Sequence, residues 1–553
     1  MGSVEPRGRC YPREYLTQGV GIYRGRALAI EIALCHNVFV AISVPAAVTR
    51  PSLPTSVRSG AAARTVVSAL AAGLALALIS PTHGIFAIVG LPAMAFLAFS
   101  SPRTAILVMP VWMTLLGFFR RFTPGGGNTT LSGDPMLLIG PIAIIILWLV
   151  SNQKGLPTPK TTLSRVVFAF NVVALLEAAN PSQGSLMAGV AGLLFILVPT
   201  LAFWVGRRIV DEALLWRIAW TVAILSLMAA LYGLYQQFVK FPTWDLVWID
   251  SKGYTALNLG SGIVRAFSFF SSAQEYAVFL SVGVVAWAAL AVRRVRWPMP
   301  MHLAALGTVA TALFYESQRT SVFITALALG VIAGARRRMR PLTVGLAGLV
   351  AVVMLVAFAG VIGGGGGGSA ALQGEQSASS VLVSHQLGGI TDPTGSGSSL
   401  PGHIKATRVG INQGFKHPLG HGSSSVNLAS SRYTAKDVKG TEFDPGNMGI
   451  AFGIFGLVIY VMLLFRMTGT GYKLAIVRRD PLGIFVLGVV MATLLQWTNG
   501  NLYSVCWLLW LVVGAGDGIL ARGESVTTVS TAPAAEPFTW RRPGEPRRVS
   551  VVR

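Results

Sequence analysis

Two arginines, Arg265 and Arg319, lie at the edges of long apolar segments, where a charge is costly and indicates function. Arg265 is in SGIVRAFSFFSSAQEY, about three helical turns before Glu275, and Arg319 is in FYESQRTSVF, beside Glu316. A guanidinium keeps its charge and makes forked, paired hydrogen bonds to phosphate. The alternative for each arginine is a side chain that snorkels to a membrane interface or pairs with its neighbouring glutamate.

Two histidines, His417 and His421, are four residues apart in GINQGFKHPLGHG. This spacing suits zinc only when both side chains project from one face of a helix. Pro418 interrupts such a helix, and neither an HExxH motif nor a third ligand accompanies the pair. We therefore expect no metal and no cofactor, and we keep both histidines as candidates for contact with a substrate.

Two acids, Glu442 and Asp444, occur in GTEFDPGNMGI, immediately before an apolar segment. With His417 they are the candidates for a catalytic group that orients or deprotonates an acceptor hydroxyl. The alternative is that both acids favour the start of a helix near residue 446 through its dipole and its cap.

The composition is that of a membrane protein. Of the 553 residues, 53% are hydrophobic and 12% are charged, and the mean hydropathy is +0.62. The net charge is +23, but the basic residues lie in short clusters between apolar segments, which is typical of topology-setting charge and not of nucleic-acid binding. The three cysteines are far apart in the sequence and predict neither disulfides nor a metal site.

The apolar segments predict an all-α, polytopic transmembrane helical bundle of about 12–14 spans, with one large external loop. The predicted spans are 65–80, 83–99, 103–119, 136–150, 165–179, 184–205, 214–238, 272–292, 301–316, 319–335, 341–363, 446–468, 480–497 and 503–519.

The segments define five regions. Residues 1–64 form a basic cytoplasmic N-terminal segment that is partly membrane-associated, and 65–363 form a transmembrane bundle. Residues 364–445 form the large extracytoplasmic loop, which begins with a glycine-rich tether. C-terminal transmembrane helices occupy 446–520, and a disordered cytoplasmic tail occupies 521–553.

The positive-inside rule orients this arrangement. A cytoplasmic N-terminus places four arginine clusters inside: Arg207–Arg208, Arg293–Arg294, Arg336–Arg337–Arg338 and Arg478–Arg479. Arg120–Arg121 falls outside, against the rule. Three segments converge on the outer face, namely 239–271, 317–318 and 364–445. We therefore predict a multi-pass protein of the cytoplasmic (inner) membrane, with its site facing the outside or the periplasm.

The second half of the outer loop predicts a helix. HIKATRVGINQGFKHPLG mixes apolar and basic residues and ends at Pro418 and Gly420. Such a helix lies along the membrane surface or caps a cavity. Its Arg408 and Lys416, together with His421, are candidates for contact with an acceptor or a headgroup. We expect a cavity open to the outer leaflet, lined by 239–271, 317–320 and 400–445.

Several of these elements resemble the O-antigen ligase and O-antigen polymerase superfamily. IVRAFSFFSSAQEYAVFL resembles its R-x-x-G-x-F-x-x-x-N element, and ESQRTSVFITALALG resembles its S-R-x-x-x-(apolar) element, with Arg265 and Arg319 as the arginines. The long external loop, its FKHPLGHGSS close, and the following GIFGLVIYVML span are also similar. The resemblance covers roughly residues 165–520.

The resemblance implies a polytopic bacterial glycosyltransferase of the C type. It implies a saccharide donor on undecaprenyl diphosphate, a reaction without metal, and two arginines that bind the diphosphate. Family ligases carry a histidine shortly before the span that follows the loop, and this chain has Glu442 at the position counted back from Gly453 and Gly456. Glu442 or Asp444 is therefore a candidate replacement for that histidine.

We therefore predict a metal-independent, inverting glycosyltransferase. Its partners would be a polyprenyl-diphosphate-linked saccharide, a saccharide or glycolipid acceptor, and membrane lipids, but no nucleic acid. The alternative function is a transporter or flippase for a lipid-linked saccharide or another solute. A transporter would favour repeated halves around charges at the membrane midplane, whereas the candidate charges here gather at one face.

Overall fold

The computed structural model describes residues 81–122, 134–252, 264–293, 298–337, 400–434, 440–498 and 502–529, and the isolated positions 67, 70 and 71. Several predictions fall outside these residues: the segment 1–64, most of the span 65–80, the span 341–363, the glycine-rich tether 364–399 and the tail beyond 529.

The described chain is all-α, as the sequence predicts, and none of its residues forms a strand. Its α-helices are α1 (Pro81–Ser100), α2 (Pro102–Phe122), α3 (Met136–Lys154), α4 (Thr162–Glu177), α5 (Leu186–Ile209), α6 (Glu212–Phe238), α7 (Thr243–Lys252), α8 (Ala273–Arg293), α9 (Met299–Tyr315), α10 (Arg319–Arg337), α11 (Leu400–Lys416), α12 (Leu428–Thr434), α13 (Asp444–Tyr472), α14 (Pro481–Ala492) and α15 (Tyr503–Val529).

Eight of the described helices are long and apolar enough to cross a membrane, namely α1, α2, α3, α5, α6, α8, α13 and α15. Helices α9, α10 and α14 are apolar but shorter. The protein is therefore a multi-pass membrane protein with a helical-bundle fold, which confirms the predicted fold class.

Polar side chains begin several of these helices. Thr161 accepts a hydrogen bond from the backbone N–H of Ser164 in a capping box at the start of α4. Asp211 accepts in the same way from Leu214 at the start of α6. These caps satisfy backbone donors that a helix leaves unpaired in its first turn.

The bundle is built around α15, whose apolar part is completely buried. Helix α5 packs closely along it because both helices carry glycine at the contact. A Cβ on Gly206 would lie 2.1 Å from the carbonyl oxygen of Leu511, and one on Gly514 would lie 2.0 Å from that of Phe203. Larger residues at these positions would separate the two helices. Helix α15 continues to Val529, so the first residues of the region predicted as a tail are helical.

Three arginines, of which Arg207 is buried, gather at the Asp517 end of α15. Arg207 forms an ion pair with Asp517 at 2.6 Å, and Arg522 donates to the carbonyl oxygen of Arg207 at 2.9 Å. Arg478 donates to the carbonyl oxygen of Leu520 at 3.1 Å. Two arginine clusters that the sequence assigns to one side of the membrane thus meet at one end of the bundle.

Helix α14 is shorter than predicted. The sequence predicts a span over 480–497, but α14 ends at Ala492 and residues 493–498 form a turn. The buried Asp444 receives backbone hydrogen bonds from Trp497 and Thr498 in this turn. The carboxylate of Asp444 therefore satisfies backbone N–H groups that the turn leaves unpaired. The apolar pattern of the sequence does not predict this contact.

Helix α13 is broken at Gly453, which has φ 62° and ψ −146°. The break frees backbone groups that the end of the outer loop satisfies. The N–H of His421 donates to the carbonyl oxygen of Ile450 at 2.8 Å, and that of Gly422 donates to Ala451 at 3.0 Å. In return, the N–H of Ile454 donates to the carbonyl oxygen of Pro418 at 3.2 Å. The HPLGHG turn is therefore bonded to the break in α13.

We predict that Gly453→Ala destabilises the protein by about 2 kcal/mol or more, because a left-handed backbone is strained for residues with a side chain. The new Cβ would also lie 2.0 Å from the carbonyl oxygen of Pro418. Thermal unfolding in detergent measures the effect. The control is Gly469→Ala on the same helix, where a Cβ meets nothing within 4 Å. Equal melting temperatures for the two variants would contradict a constrained break.

Candidate active site

Arg265 and Arg319 meet at one turn. The Nε of Arg265 donates to the carbonyl oxygen of Glu316 at 3.0 Å, and its guanidinium forms an ion pair with the Glu316 carboxylate at 2.5 Å. Glu316 lies in the turn between α9 and α10, and Arg319 is the first residue of α10. Two arginines that are distant in sequence are thus attached to the same turn, and both remain partly accessible.

The partner of Arg265 differs from the one that the sequence suggests. Glu275 is the nearest acid to Arg265 in the following sequence, but the structure has non-helical backbone before α8 begins at Ala273. The carboxylate of Glu275 instead accepts from the backbone N–H of Ser504 at 2.7 Å. Glu316, which is three residues before Arg319, is the acid that pairs with Arg265.

The Glu316 carboxyl is completely buried in its turn. One of its oxygens also accepts from the backbone N–H of Gln318 at 3.0 Å. Burial raises the pKa of Glu316 to about 8, although the nearby charge of Arg265 lowers it. The charge on this carboxyl, and hence its hold on Arg265, is therefore sensitive to pH near neutrality.

A buried arginine, Arg121, anchors the segment that carries Arg265, which we call the Arg265 segment (residues 264–272). The guanidinium of Arg121 donates to the carbonyl oxygens of Ser268 and Phe270, both at 2.5 Å. It also forms an ion pair at 2.9 Å with Asp245 of α7, and both side chains are completely buried. Because these contacts hold two carbonyls of the segment, they fix the backbone close to Arg265.

Gln236 of α6 holds the same segment from another side. Its Oε1 accepts from the backbone N–H groups of Phe267 at 3.2 Å and Ser268 at 2.7 Å. Ser268 has φ 48°, an uncommon conformation for a residue with a side chain. The hydrogen bonds from Arg121 of α2 and Gln236 of α6 hold Ser268 in this conformation.

A second buried charge group lies beside the first. Arg120 forms an ion pair with Asp134, and Asp134 is also 3.0 Å from the Nδ1 of His83. Arg120 further donates to the hydroxyl of Ser271 at 3.2 Å. These buried pairs explain why Arg120–Arg121 breaks the orientation rule, because both charges are neutralised inside the bundle.

The predicted acid Asp444 is completely buried at the first turn of α13. Its carboxylate accepts from the backbone N–H of Trp497 at 2.5 Å and from the hydroxyl of Thr498 at 2.7 Å. Its own N–H donates to the carbonyl oxygen of Leu495 at 2.8 Å. In this structure Asp444 therefore binds the turn after α14, and its catalytic assignment stays a prediction.

The predicted acid Glu442 is exposed and has a histidine partner. Its carboxylate is 3.3 Å from the Nδ1 of His403, near the start of α11. A histidine–carboxylate pair is suited to proton transfer. His403 is not predictable from the sequence as this partner, because about forty residues separate it from Glu442 and no spacing relates the two.

The outer-loop candidates lie along and just after α11. Arg408, Lys416 and His417 are exposed, and the ring centroids of His417 and His421 are 4.6 Å apart. Helix α11 ends at Lys416, two residues before Pro418, as the sequence predicts. In the described part of the chain, no three His, Cys, Asp or Glu side chains form a group that could hold a metal ion.

Two sets of predicted site residues lie near one end of α15. One is Arg265 with the Glu316 turn, and the other is Asp444. The Arg265–Glu316 contact lies close to the start of α8, whose Glu275 accepts from Ser504 at the start of α15. Asp444 is bonded to Thr498, a few residues earlier. This end is opposite to Asp517, so both groups lie away from the Arg207 cluster.

A small apolar cleft lies elsewhere, between α2, α3, α5 and α15. Met113, Pro141, Pro199 and Tyr503 are among the residues that line it. None of its lining residues belongs to the segments from which the sequence predicts a cavity, so this cleft does not correspond to that cavity.

Comparisons of the chain with protein-family models, with curated proteins and with solved structures find no match. The resemblance to the O-antigen ligase and polymerase superfamily therefore depends on the residues of this chain alone and stays a prediction.

We predict that Asp245→Asn lowers the free energy of unfolding by about 3–5 kcal/mol, because it leaves the buried charge of Arg121 without its counter-ion. Denaturant unfolding in detergent measures the loss. The control is Asp250→Asn on the same helix, where the side chain is exposed and the effect should stay within about 0.5 kcal/mol. Two variants of equal stability would show that the Arg121–Asp245 pair does not hold the structure.

Proposed function

We propose that the protein transfers a glycosyl group from a polyprenyl-diphosphate-linked saccharide to an acceptor hydroxyl at the outer face of the cytoplasmic membrane, as a polysaccharide polymerase or ligase. The observation that carries the proposal is the meeting of Arg265 and Arg319 at the Glu316 turn of a multi-pass membrane protein. Two partly accessible guanidinium groups at the end of a membrane bundle suit a diphosphate that is attached to a lipid.

The two arginines would act on the leaving group. When the acceptor oxygen bonds to the anomeric carbon, the bond from that carbon to the diphosphate oxygen breaks, and negative charge develops on the diphosphate. Fixed positive groups stabilise this charge without reorganisation during the reaction. Arg265 is positioned by Glu316, and its segment is held by Arg121. Attack opposite the leaving group inverts the anomeric carbon.

We assign roles to the residues proposed to act on the acceptor from their exposure and their hydrogen bonds. The carboxylate of Asp444 is buried and occupied by the Trp497–Thr498 turn, so we assign it to positioning. Glu442 is exposed and paired with His403, and His417 is exposed. We therefore propose that the Glu442–His403 pair takes the proton of the acceptor hydroxyl, while His417 contacts the acceptor.

We predict that Arg319→Lys and Arg265→Lys each lower the rate of carrier release about 10²–10³-fold, because lysine lacks the forked geometry that matches a diphosphate. The assay supplies purified protein with polyprenyl-diphosphate saccharide and measures the free carrier. The control is Arg217→Lys, an exposed arginine near the start of α6. Near-normal release in both site variants would exclude the proposed binding of the diphosphate by Arg265 and Arg319.

The same preparation separates transfer from transport. A wild-type protein that moves labelled lipid-linked saccharide across a vesicle membrane, but releases no carrier, would support the transporter or flippase and contradict glycosyl transfer.

We predict that the KM for the donor rises as the pH increases from about 7 to about 9, since the pKa of Glu316 is about 8. Below this pKa the carboxyl is neutral and leaves Arg265 available to phosphate. Above it, the ionised carboxylate competes with the donor for the same guanidinium. Glu316→Gln should remove this dependence, and an unchanged pH profile in the variant would contradict the competition.

The same pKa gives an expectation for stability. Because the folded pKa lies above the usual 4.5, ionisation of Glu316 costs stability as the pH rises from about 4.5 to about 8. The melting temperature of Glu316→Gln, measured relative to that of wild type, should therefore be higher at pH 9 than at pH 5.

A further inference from the structure

Helix α11 has one side packed against the protein and one exposed side. On the packed side, a Cβ on Gly410 would lie 2.7 Å from Gly446, and one on Gly414 would lie 2.9 Å from Gly449. These close approaches fix α11 parallel to the first part of α13. The opposite side is therefore directed away from the bundle.

The exposed side mixes apolar and basic residues, and we call it the outer face of α11. Residues four and eleven positions apart lie on similar sides of a helix, and this spacing places the residues in two adjacent rows. One row is Ile404, Arg408 and Phe415, and the other is Lys405, Val409 and Lys416. All six residues are exposed, and 63% of the Phe415 side chain is accessible. Each row thus combines large apolar groups with cations.

The length of α13 indicates the depth at which α11 lies. Beyond the break at Gly453, residues 454–472 continue as a helix of about 28 Å at ~1.5 Å per residue. This length matches the ~30 Å hydrocarbon core of a bilayer. The segment 454–472 is therefore long enough to cross the hydrocarbon core without residues 444–452, and such a crossing would place Gly453 near the headgroups.

The exposed apolar surface of α13 begins directly after this break and is continuous with the end of α11. Phe455 and Phe465 are exposed on the spanning part of α13. The carbonyl oxygen of Pro418 accepts from the N–H of Ile454, and Leu419, next to Pro418, is 65% exposed. The apolar groups that follow α11 therefore adjoin the surface that α13 presents to lipid.

The charge of α11 identifies the lipid chemistry that suits it. Residues 400–434 contain no aspartate or glutamate, so the cations of the outer face have no acidic neighbour within this stretch. Long basic side chains on an interfacial helix extend to the phosphate layer while apolar neighbours enter the acyl boundary. A net positive face at this depth favours anionic headgroups over zwitterionic ones.

We propose that the outer face of α11 is a docking surface for the membrane, with its apolar side chains at the acyl boundary and Lys405, Arg408 and Lys416 bound to the phosphates of anionic lipids. This surface follows from the helix packing and the charge, and it does not depend on the proposed glycosyl transfer. Helix α11 is packed against α13 through Gly410, and Pro418 is bonded to α13. Lipid binding at the outer face would therefore hold α11 and His403 at a constant depth in the membrane.

The test uses the full chain in nanodiscs, with a fluorescent label on Asn412→Cys and with Cys10 and Cys35 replaced by serine. Asn412 is exposed on α11 and is not one of the proposed contacts. Lipids brominated close to the headgroup should quench the label. The quenching should increase as phosphatidylglycerol replaces phosphatidylcholine, and it should weaken at high salt.

Lys405→Gln, Arg408→Gln and Lys416→Gln combined should move the half-point of the phosphatidylglycerol titration to the highest lipid fractions or beyond them, because each lost cation weakens headgroup binding by roughly fivefold. The control combines Lys160→Gln, Arg217→Gln and Lys473→Gln, which removes the same charge from exposed positions elsewhere. It should leave the half-point unchanged. The single variant Arg408→Gln serves if the triple variant unfolds.

Two results would overturn the proposal. A label that shallow bromine does not quench would place α11 away from the membrane. Equal half-points for the two triple variants would show that the cations of α11 do not bind the headgroups. Carrier release is not measured here, so either result leaves the proposed glycosyl transfer untouched, and a failed transfer assay leaves this surface untouched.

Discussion

The paired charges of Arg120 and Arg121 are the constraint on which the Tyr503 end of the bundle depends. An unpaired guanidinium in a membrane interior is strongly unfavourable, so each needs a carboxylate that other parts of the chain must bring to it. Asp134 lies directly before α3, and Asp245 lies on α7. The two ion pairs therefore fix Asp134 and α7 relative to α2, which apolar packing alone would not do.

The same arginines connect the buried charges to the candidate site. Their remaining donors bind the Arg265 segment at Ser268, Phe270 and Ser271. The segment has no helix or sheet of its own to satisfy its backbone, so side chains from α2 and α6 replace that regular structure. A partly accessible Arg265 is thereby held on a rigid base, which the proposed stabilisation of a charged leaving group would require.

A comparable exchange of backbone bonds organises the residues that we propose to contact the acceptor. Gly453 interrupts α13, and the turn at residues 417–422 satisfies the carbonyls that the break exposes. The carboxylate of Asp444 accepts hydrogen bonds from the backbone N–H of Trp497 and the hydroxyl of Thr498 in the turn after α14. Irregular backbone occurs in membrane proteins where protein groups can replace the missing hydrogen bonds. The result is that α11, with His403, is attached to the segment that carries Glu442.

The sequence by itself determined the all-α membrane class, the positions of most described helices and the importance of charges at one end. Apolar length and charge spacing are local properties, and a bilayer imposes them directly on the chain. Only the tertiary structure decided which charges meet: Arg265 with Glu316 and not Glu275, Arg121 with Asp245, and Glu442 with His403. Each of these pairs joins residues from different elements, and helix packing, which no local pattern encodes, sets the distance between them.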